Sequence, residues 1–133
     1  MEKTVVFITN QFSCDRIIQA AREVADQTET QLVILSFLDS EYDLNPQAIE
    51  YLYDRAKKSR ASATFLFSPN RLEHMTKTVG QFDSVNIITG MPGGSESVLY
   101  KLWEQFPEKS FFIVDAEGCL TPVSTQLKRK SAG

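Results

Sequence analysis

Residues 85–115, VNIITGMPGGSESVLYKLWEQFPEKSFFIVD, contain the pattern that decides the fold. Two short apolar runs, Val85–Thr89 and Ser110–Asp115, flank a glycine-rich turn and a helical pattern. The apolar face of that helical pattern consists of Val98, Leu99, Leu102, Trp103 and Phe106. Pro107 ends the helix, because proline lacks the N–H that a helix needs. A strand–helix–strand unit of this kind is typical of a parallel sheet, in which consecutive strands need a crossover connection.

The preceding part of the chain repeats this alternation. Three further apolar runs, Thr4–Thr9, Gln31–Leu38 and Ala63–Phe67, are short and rich in β-branched or aromatic residues. Nearly continuous apolar runs favour strands that are covered on both faces. We therefore predict five strands in all, and Asn86 is the one polar interruption within them.

Helical patterns separate these strands. Ser13 is the predicted N-cap of the first helix, since its hydroxyl can accept from an unpaired backbone N–H. The second helix opens with Asn45-Pro46, a capping residue followed by proline at the first helical position. The third is weaker and closes at Gly80. The apolar faces are Cys14, Ile17, Ile18, Ala21, Val24 and Ala25, then Ile49, Leu52, Tyr53 and Ala56, then Leu72, Met75, Thr76 and Val79.

This regular order predicts an α/β fold, an open five-stranded parallel sheet with helices on both faces. One domain is expected over residues 1–123. After Asp115, a turn at Ala116–Gly118 leads to Cys119–Val123, which can form a short edge strand or arm. Residues 124–133 include Lys128-Arg129-Lys130 and are predicted to form a flexible basic tail.

Composition excludes several classes of protein. The 133 residues include 14 Lys and Arg against 17 Asp and Glu, and this net charge of −3 argues against a nucleic-acid binder. No apolar run approaches the roughly 18 residues of a membrane span, and the N-terminus lacks a signal-peptide pattern. Cys14 and Cys119 form no CxxC pair, and a single histidine, His74, cannot make a His-rich metal site. We expect a cytoplasmic protein without a membrane or nucleic-acid partner.

The loop Gly90–Ser95 is the first candidate ligand site. It contains three of the six glycines, so its backbone can approach a ligand closely. Amide groups and the helix dipole at such a strand-to-helix turn attract phosphate. The loop is neither a Walker motif, which needs Gly-Lys-Ser/Thr, nor a dinucleotide fingerprint, which follows the first strand. The alternative is a tight turn in which Ser95 caps the helix.

The loop after the first strand is the second candidate, because ligands of open α/β sheets bind beyond the carboxyl ends of the strands. Asn10 can hydrogen-bond a ribose or a base. The alternative is an Asx turn that leads into the Ser13 cap. The candidate ligand-binding residues of the two loops are Thr9, Asn10, Ser13, Gly90, Gly93, Gly94 and Ser95.

Cys14 is the one residue that suggests covalent chemistry. A helix N-terminus lowers the pKa of a thiol and favours the reactive thiolate. The alternative is a structural role, because Cys14 also begins the apolar face of the first helix. No base or metal ligand is placed beside it by the sequence, so we predict no catalytic or metal-binding residues and rank an enzyme last.

Between about Lys3 and Val123 the chain resembles the universal stress protein family. The resemblance rests on KTVVFITN (3–10), DRIIQAAREVAD (15–26), QLVILSFL (31–38), IITGMPGGSES (87–97) and FFIVD (111–115). It implies a Rossmann-like parallel sheet in the order 3-2-1-4-5 and a homodimer formed through the last strand. Some members of that family bind ATP and others do not.

Nucleotide-binding members carry Gly-x-x-Gly, then nine residues, then Gly-Ser or Gly-Thr. Here Gly90–Gly93 matches the first part, but nine residues further on the chain has Trp103-Glu104 in place of the second part. The alternative is that Gly94-Ser95 is the second part and that the intervening segment is deleted. Those members also have an acidic residue just after the first strand, where this chain has Asn10. The resemblance implies ATP or AMP as the cofactor, with adenine held by the backbone of Phe37 and Leu38.

Three hypotheses for function follow. The first is a regulatory module that binds an adenine nucleotide or another phosphate ligand at Gly90–Ser95. The second is a ligand-free interaction module whose dimer surface comprises Phe111–Val114 and Cys119–Val123. The third is a small enzyme that uses Cys14 or hydrolyses a nucleotide.

Overall fold

The computed structural model describes residues 1–8, 14–38, 45–67, 70–81, 83–91 and 97–123. Strands and helices alternate in the predicted order. The elements are β1 (Lys3–Ile8), α1 (Asp15–Thr28), β2 (Gln31–Leu38), α2 (Pro46–Lys58), β3 (Ser62–Phe67), α3 (Arg71–Gln81), β4 (Ser84–Gly90), α4 (Val98–Gln105), β5 (Ser110–Val114) and β6 (Leu120–Pro122). None of the helices in these ranges is long and apolar enough to cross a bilayer.

The strands form one sheet in the order β3-β2-β1-β4-β5-β6. The first five are mutually parallel, which confirms the predicted order 3-2-1-4-5. The sheet also has a sixth strand, because β6 pairs antiparallel with β5. β5 is therefore paired on both sides. A homodimer through the last strand stays a prediction, and β6 would have to make the contact.

The turn after β5 explains the sixth strand. The Asp115 carboxylate accepts hydrogen bonds from the N–H groups of Glu117 and Cys119, both at 2.9 Å. Gly118 adopts a φ of 84°, a left-handed conformation that glycine reaches without strain. The chain thus reverses within a few residues, and a reversal this short can produce only an antiparallel neighbour. The edge strand or arm expected at residues 119–123 is this strand.

Helices cover both faces of the sheet, as predicted. In β1, Val6 and Ile8 point towards α1 and α2, whereas Val5 and Phe7 point towards α3 and α4. Alternate residues of a strand face opposite sides, so an uninterrupted apolar strand supplies both cores. Trp103 of α4 is fully buried in the second core. Its indole N–H has no hydrogen-bond partner among the residues that the structure describes.

The helix termini confirm one predicted cap and correct another. Asn45 caps α2 by accepting from the N–H groups of Gln47 at 3.0 Å and Ala48 at 3.3 Å. α4 begins at Val98, and its N-cap is Ser97 rather than Ser95. A cap at Ser95 would require α4 to begin at residue 96, but α4 begins two residues later.

At α1 the N-cap position is Cys14, which makes no side-chain capping bond. The predicted cap, Ser13, lies outside the described residues. α3 runs past Gly80 to Gln81 before it ends. Tyr53, placed on the apolar face of α2 by its spacing, is 48% exposed, because α2 buries Ala48, Leu52 and Ala56 instead.

A cluster of polar side chains lies where β1 and β4 begin. Thr4, Thr30 and Asn86 are buried in it, whereas Thr28 is exposed. Asn86 donates through Nδ2 to the hydroxyl oxygens of Thr4 at 3.1 Å and Thr28 at 3.0 Å. The hydroxyl oxygens of Thr4 and Thr30 lie 2.6 Å apart, and that of Thr28 donates to the Val24 carbonyl at 2.7 Å. The polar interruption in the fourth strand is thus a satisfied structural network, and it lies at the amino edge of the sheet, where the strands begin.

Replacing Asn86 tests the contribution of this network to stability. We expect Asn86→Leu to lower the free energy of unfolding by about 1–3 kcal/mol, because the hydroxyls of Thr4 and Thr28 lose a buried partner. Urea denaturation followed by circular dichroism measures the change. Glu23→Ala on the exposed face of α1 is the control, with an expected change within about 0.5 kcal/mol. Equal stability of Asn86→Leu and the wild type would contradict a structural role for the network.

Candidate functional site

The strand order reverses between β1 and β4. From β1 the chain continues through α1 to β2 on one side, and from β4 it continues through α4 to β5 on the other. The two strands lie side by side, with Val6 opposite Ile88 in the register. The helices that follow these strands, α1 and α4, lie on opposite faces of the sheet, so a crevice opens beyond the strand ends at Ile8 and Gly90. Open α/β sheets bind their ligands at such a position.

Gly90 lies at the mouth of this crevice. It is the last residue of β4, is partly exposed and pairs with Val114 of β5. A Cβ at Gly90 would lie 3.6 Å from Cδ1 of Ile17 in α1, which is an ordinary van der Waals distance. Glycine here thus leaves bare backbone on the side of the strand that faces α1. The hydroxyl of the buried Thr89 donates to the Gly90 carbonyl at 2.9 Å.

Arg16 supplies a positive charge at the carboxyl edge, where the parallel strands end. It is the second residue of α1, and its Nε donates to the carbonyl of Asp115, just beyond β5, at 3.0 Å. Its Cβ lies 3.6 Å from the position that a Cβ on Gly118 would take. The guanidinium group is therefore fixed between α1 and the end of β5, next to the strand that carries Gly90.

The structure is similar to solved universal stress proteins. The one from Archaeoglobus fulgidus matches with a TM-score of 0.63 at 14% identity, over 86% of this chain and 93% of its own. The same organism's universal stress protein in complex with dAMP matches with a TM-score of 0.60 at 14% identity, over 86% and 96%. The chain has the universal stress protein fold. Neither a known family model nor a curated protein sequence matches it.

A third structure with the universal stress protein fold, solved in complex with cAMP, has a TM-score of 0.56 at 14% identity and covers 86% of this chain and 96% of its own. These three structures each cover 86% of this chain, so the likeness concerns the fold as a whole.

Three of the predicted ligand-binding residues are in the described part of this fold. Gly90 lies at the crevice, whereas Phe37 and Leu38 end β2, the neighbour of β1. The side chain of Phe37 is buried against Phe7, with ring centroids 5.7 Å apart, so only its backbone can face a ligand. The other predicted ligand residues lie outside the described residues: Thr9, Asn10, Ser13, Gly93, Gly94 and Ser95.

Asp15, beside Arg16 in α1, is engaged by α2. The hydroxyl of Tyr51 donates to its Oδ2, and Nε of Arg55 lies 3.2 Å from its Oδ1. The guanidinium carbon of Arg55 also lies 4.8 Å from the centre of the Tyr51 ring. The bond to the Asp15 carboxylate raises the pKa of Tyr51, since losing the phenolic proton would lose that bond. These contacts join α1 to α2.

Cys14 does not meet the requirements of a nucleophile. Its side chain is fully buried in the core beneath α1. Burial raises the pKa of the Cys14 thiol to about 11, and the Asp15 carboxylate adds to the effect. Both causes disfavour the thiolate, and they outweigh the opposing effects of a backbone hydrogen bond and of the Arg55 charge. The geometry favours the structural role of Cys14 over the catalytic one.

Thiol reactivity tests this difference. We expect native protein at pH 8 to react with a thiol reagent at one site, the exposed Cys119, while Cys14 reacts only after unfolding. At a pKa of about 11, about one Cys14 thiol in a thousand is ionised at pH 8. Cys119→Ser is the matched variant, and it should show no rapidly reacting thiol. Rapid modification of Cys14 in the folded Cys119→Ser protein would contradict the assignment.

Proposed function

We propose that this chain is a universal stress protein-like regulatory module that binds an adenine nucleotide in the crevice between the ends of β1 and β4. The observation that carries the proposal is the reversal of strand order at these strands, with the bare backbone of Gly90 at the exit. Two proteins of the same fold, solved in complex with dAMP and cAMP, support adenine as the base.

The phosphate end of the ligand is assigned to the side of the crevice near β4 and α4. The positive end of the α4 dipole points to the carboxyl edge, because α4 begins just after β4. Arg16 adds a full positive charge close by. The amides of the Gly90–Ser95 loop complete this phosphate site in the proposal. The base is assigned to the other side, against the backbone of Phe37 and Leu38.

A nucleoside monophosphate fits this arrangement better than a triphosphate. The chain lacks the residues that separate the two glycine motifs in the family's nucleotide binders, so the loop is short. A short loop can contact one phosphate but leaves further phosphates in solvent. We therefore expect AMP to bind about as tightly as ATP, because the outer phosphates gain few contacts.

The carboxylates described near the crevice favour binding over turnover. Asp15 is bonded to Tyr51 and Arg55, and the Asp115 side chain accepts two amide hydrogen bonds within its turn. A general base must reach the proton that it abstracts, and both of these groups are already engaged elsewhere. The proposed role is therefore to sense the nucleotide rather than to convert it.

Substituting Gly90 tests the location of the site. We expect Gly90→Val to weaken binding of AMP and ATP at least tenfold, because the branched side chain would fill the space between β4 and Ile17 of α1. Isothermal titration with each nucleotide and Mg²⁺ measures the loss. Gly80→Ala is the control variant, and it should bind the nucleotides as the wild type does. Gly80 lies in α3 near the amino edge, and the atom nearest to a Cβ there would be in Phe106, at 3.9 Å.

Two results would overturn the proposal. One is the absence of binding heat for AMP, ADP and ATP at millimolar concentration, which would leave the ligand-free interaction module. The other is full binding by a folded Gly90→Val protein. Thermal unfolding of each variant shows whether the protein is folded, so a loss of binding is not confused with a loss of structure.

Arg16 allows a second test, which separates the phosphate from the base. We expect Arg16→Gln to weaken AMP about tenfold and to leave adenosine unchanged, because only the phosphate interacts with the guanidinium. Arg60→Gln, at an exposed arginine between α2 and β3, is the matched control. An equal loss for AMP and adenosine would place Arg16 away from the phosphate.

A further inference from the structure

The two outermost strands of the sheet, β3 and β6, differ in their capacity to pair with another strand. β6 has three residues, and Pro122 removes one of its backbone donors. β3 has six residues, SATFLF, with no proline and no charged side chain. Natural edge strands are usually protected by short length, charge or proline, and β3 has none of these protections. Within the described part of the chain, β3 pairs only with β2.

Apolar side chains flank this edge on both faces of the sheet. On the face of α2, the rings of Phe65 and Tyr53 meet edge to face with centroids 5.3 Å apart, and Tyr53 is 48% exposed. On the face of α3, Leu66 and Val33 are only partly buried and line an open groove of about 390 Å³. An edge with exposed apolar groups on both sides gains hydrophobic burial when another strand covers it.

We propose that a second copy of this chain pairs antiparallel along β3, so that two sheets join into one across a two-fold axis. A pairing centred on Thr64 places that residue opposite itself. It also places Ala63 opposite Phe65 of the second copy, and Ser62 opposite Leu66. Residues that face each other then lie on the same side of the joined sheet, as an antiparallel ladder requires.

The sequence of β3 favours a second copy as the occupant. In a symmetric pairing centred on Thr64, a charged residue at that position would face its own copy, and like charges directly opposite destabilise a sheet. β3 contains none, while Thr–Thr and apolar–aromatic pairs are favourable across strands. The wall of the groove also contains Lys3, His74 and Lys77, and Lys77 is paired with Glu73 at 3.4 Å, which offsets its positive charge.

The exposure of Tyr53 fits the same interface. Its spacing along α2 places it on the apolar face of the helix, yet it lies against Phe65 next to the open edge. In the paired arrangement the second copy covers this aromatic pair. This inference does not depend on the proposed nucleotide site, which lies at the strand ends and not along an edge.

Charge substitution at Thr64 tests the interface. The Thr64 side chain is exposed, so Thr64→Lys and Thr64→Glu should each fold with thermal stability close to that of the wild type. Analytical ultracentrifugation should show a wild-type dimer. Each variant alone should have a dimer dissociation constant raised at least tenfold, because equal charges face each other. An equimolar mixture of the two should restore the dimer, because opposite charges then meet.

Thr121→Lys is the matched control. Thr121 is an exposed threonine on β6, at the opposite edge of the sheet, and this variant should dimerise as the wild type does. A wild-type protein that remains monomeric at about 1 mM overturns the inference. So does an unchanged dimer in the Thr64 variants, or a failure of the mixture to recover. A dimer lost in Thr121→Lys and kept in Thr64→Lys would assign the interface to the last strand instead.

Discussion

The pairing of β1 with β4 is the contact on which the rest of the structure depends. It places β1 in the middle of the sheet, with β2 on its other side. Because parallel crossovers are right-handed, α1 and α2 lie on one face, and the return path through α3 must run over the other. Both hydrophobic cores and the crevice thus follow from one strand pairing. The hydrogen bond from Asn86 to Thr4 fixes that pairing at the amino edge.

The amino edge of the sheet, where the parallel strands begin, therefore differs in role from the carboxyl edge, where they end. At the amino edge, the buried side chains of Thr4, Thr30 and Asn86 are joined by hydrogen bonds. At the carboxyl edge the polar groups are placed by long-range contacts, and the clearest is the bond from Arg16 to the Asp115 carbonyl.

Sequence patterns predicted the five parallel strands and the cap at Asn45, since both depend on local spacing and residue type. They failed where a tertiary contact decides. Tyr53 has the spacing of a core residue, but α2 covers the margin of the sheet and that position extends past it. Arg16 was missed because its partner is 99 residues away. A helix N-terminus suggested a reactive Cys14, and only its burial shows that the pKa of that thiol is raised.

The direction of β6 also determines where the chain leaves the sheet. β6 runs from the carboxyl edge back to the amino edge, and the N–H of Val123 donates to the carbonyl of Phe111, at the start of β5, at 2.8 Å. Val123 therefore lies at the end of the sheet opposite Gly90, and the pairing of β6 with β5 stays clear of the crevice.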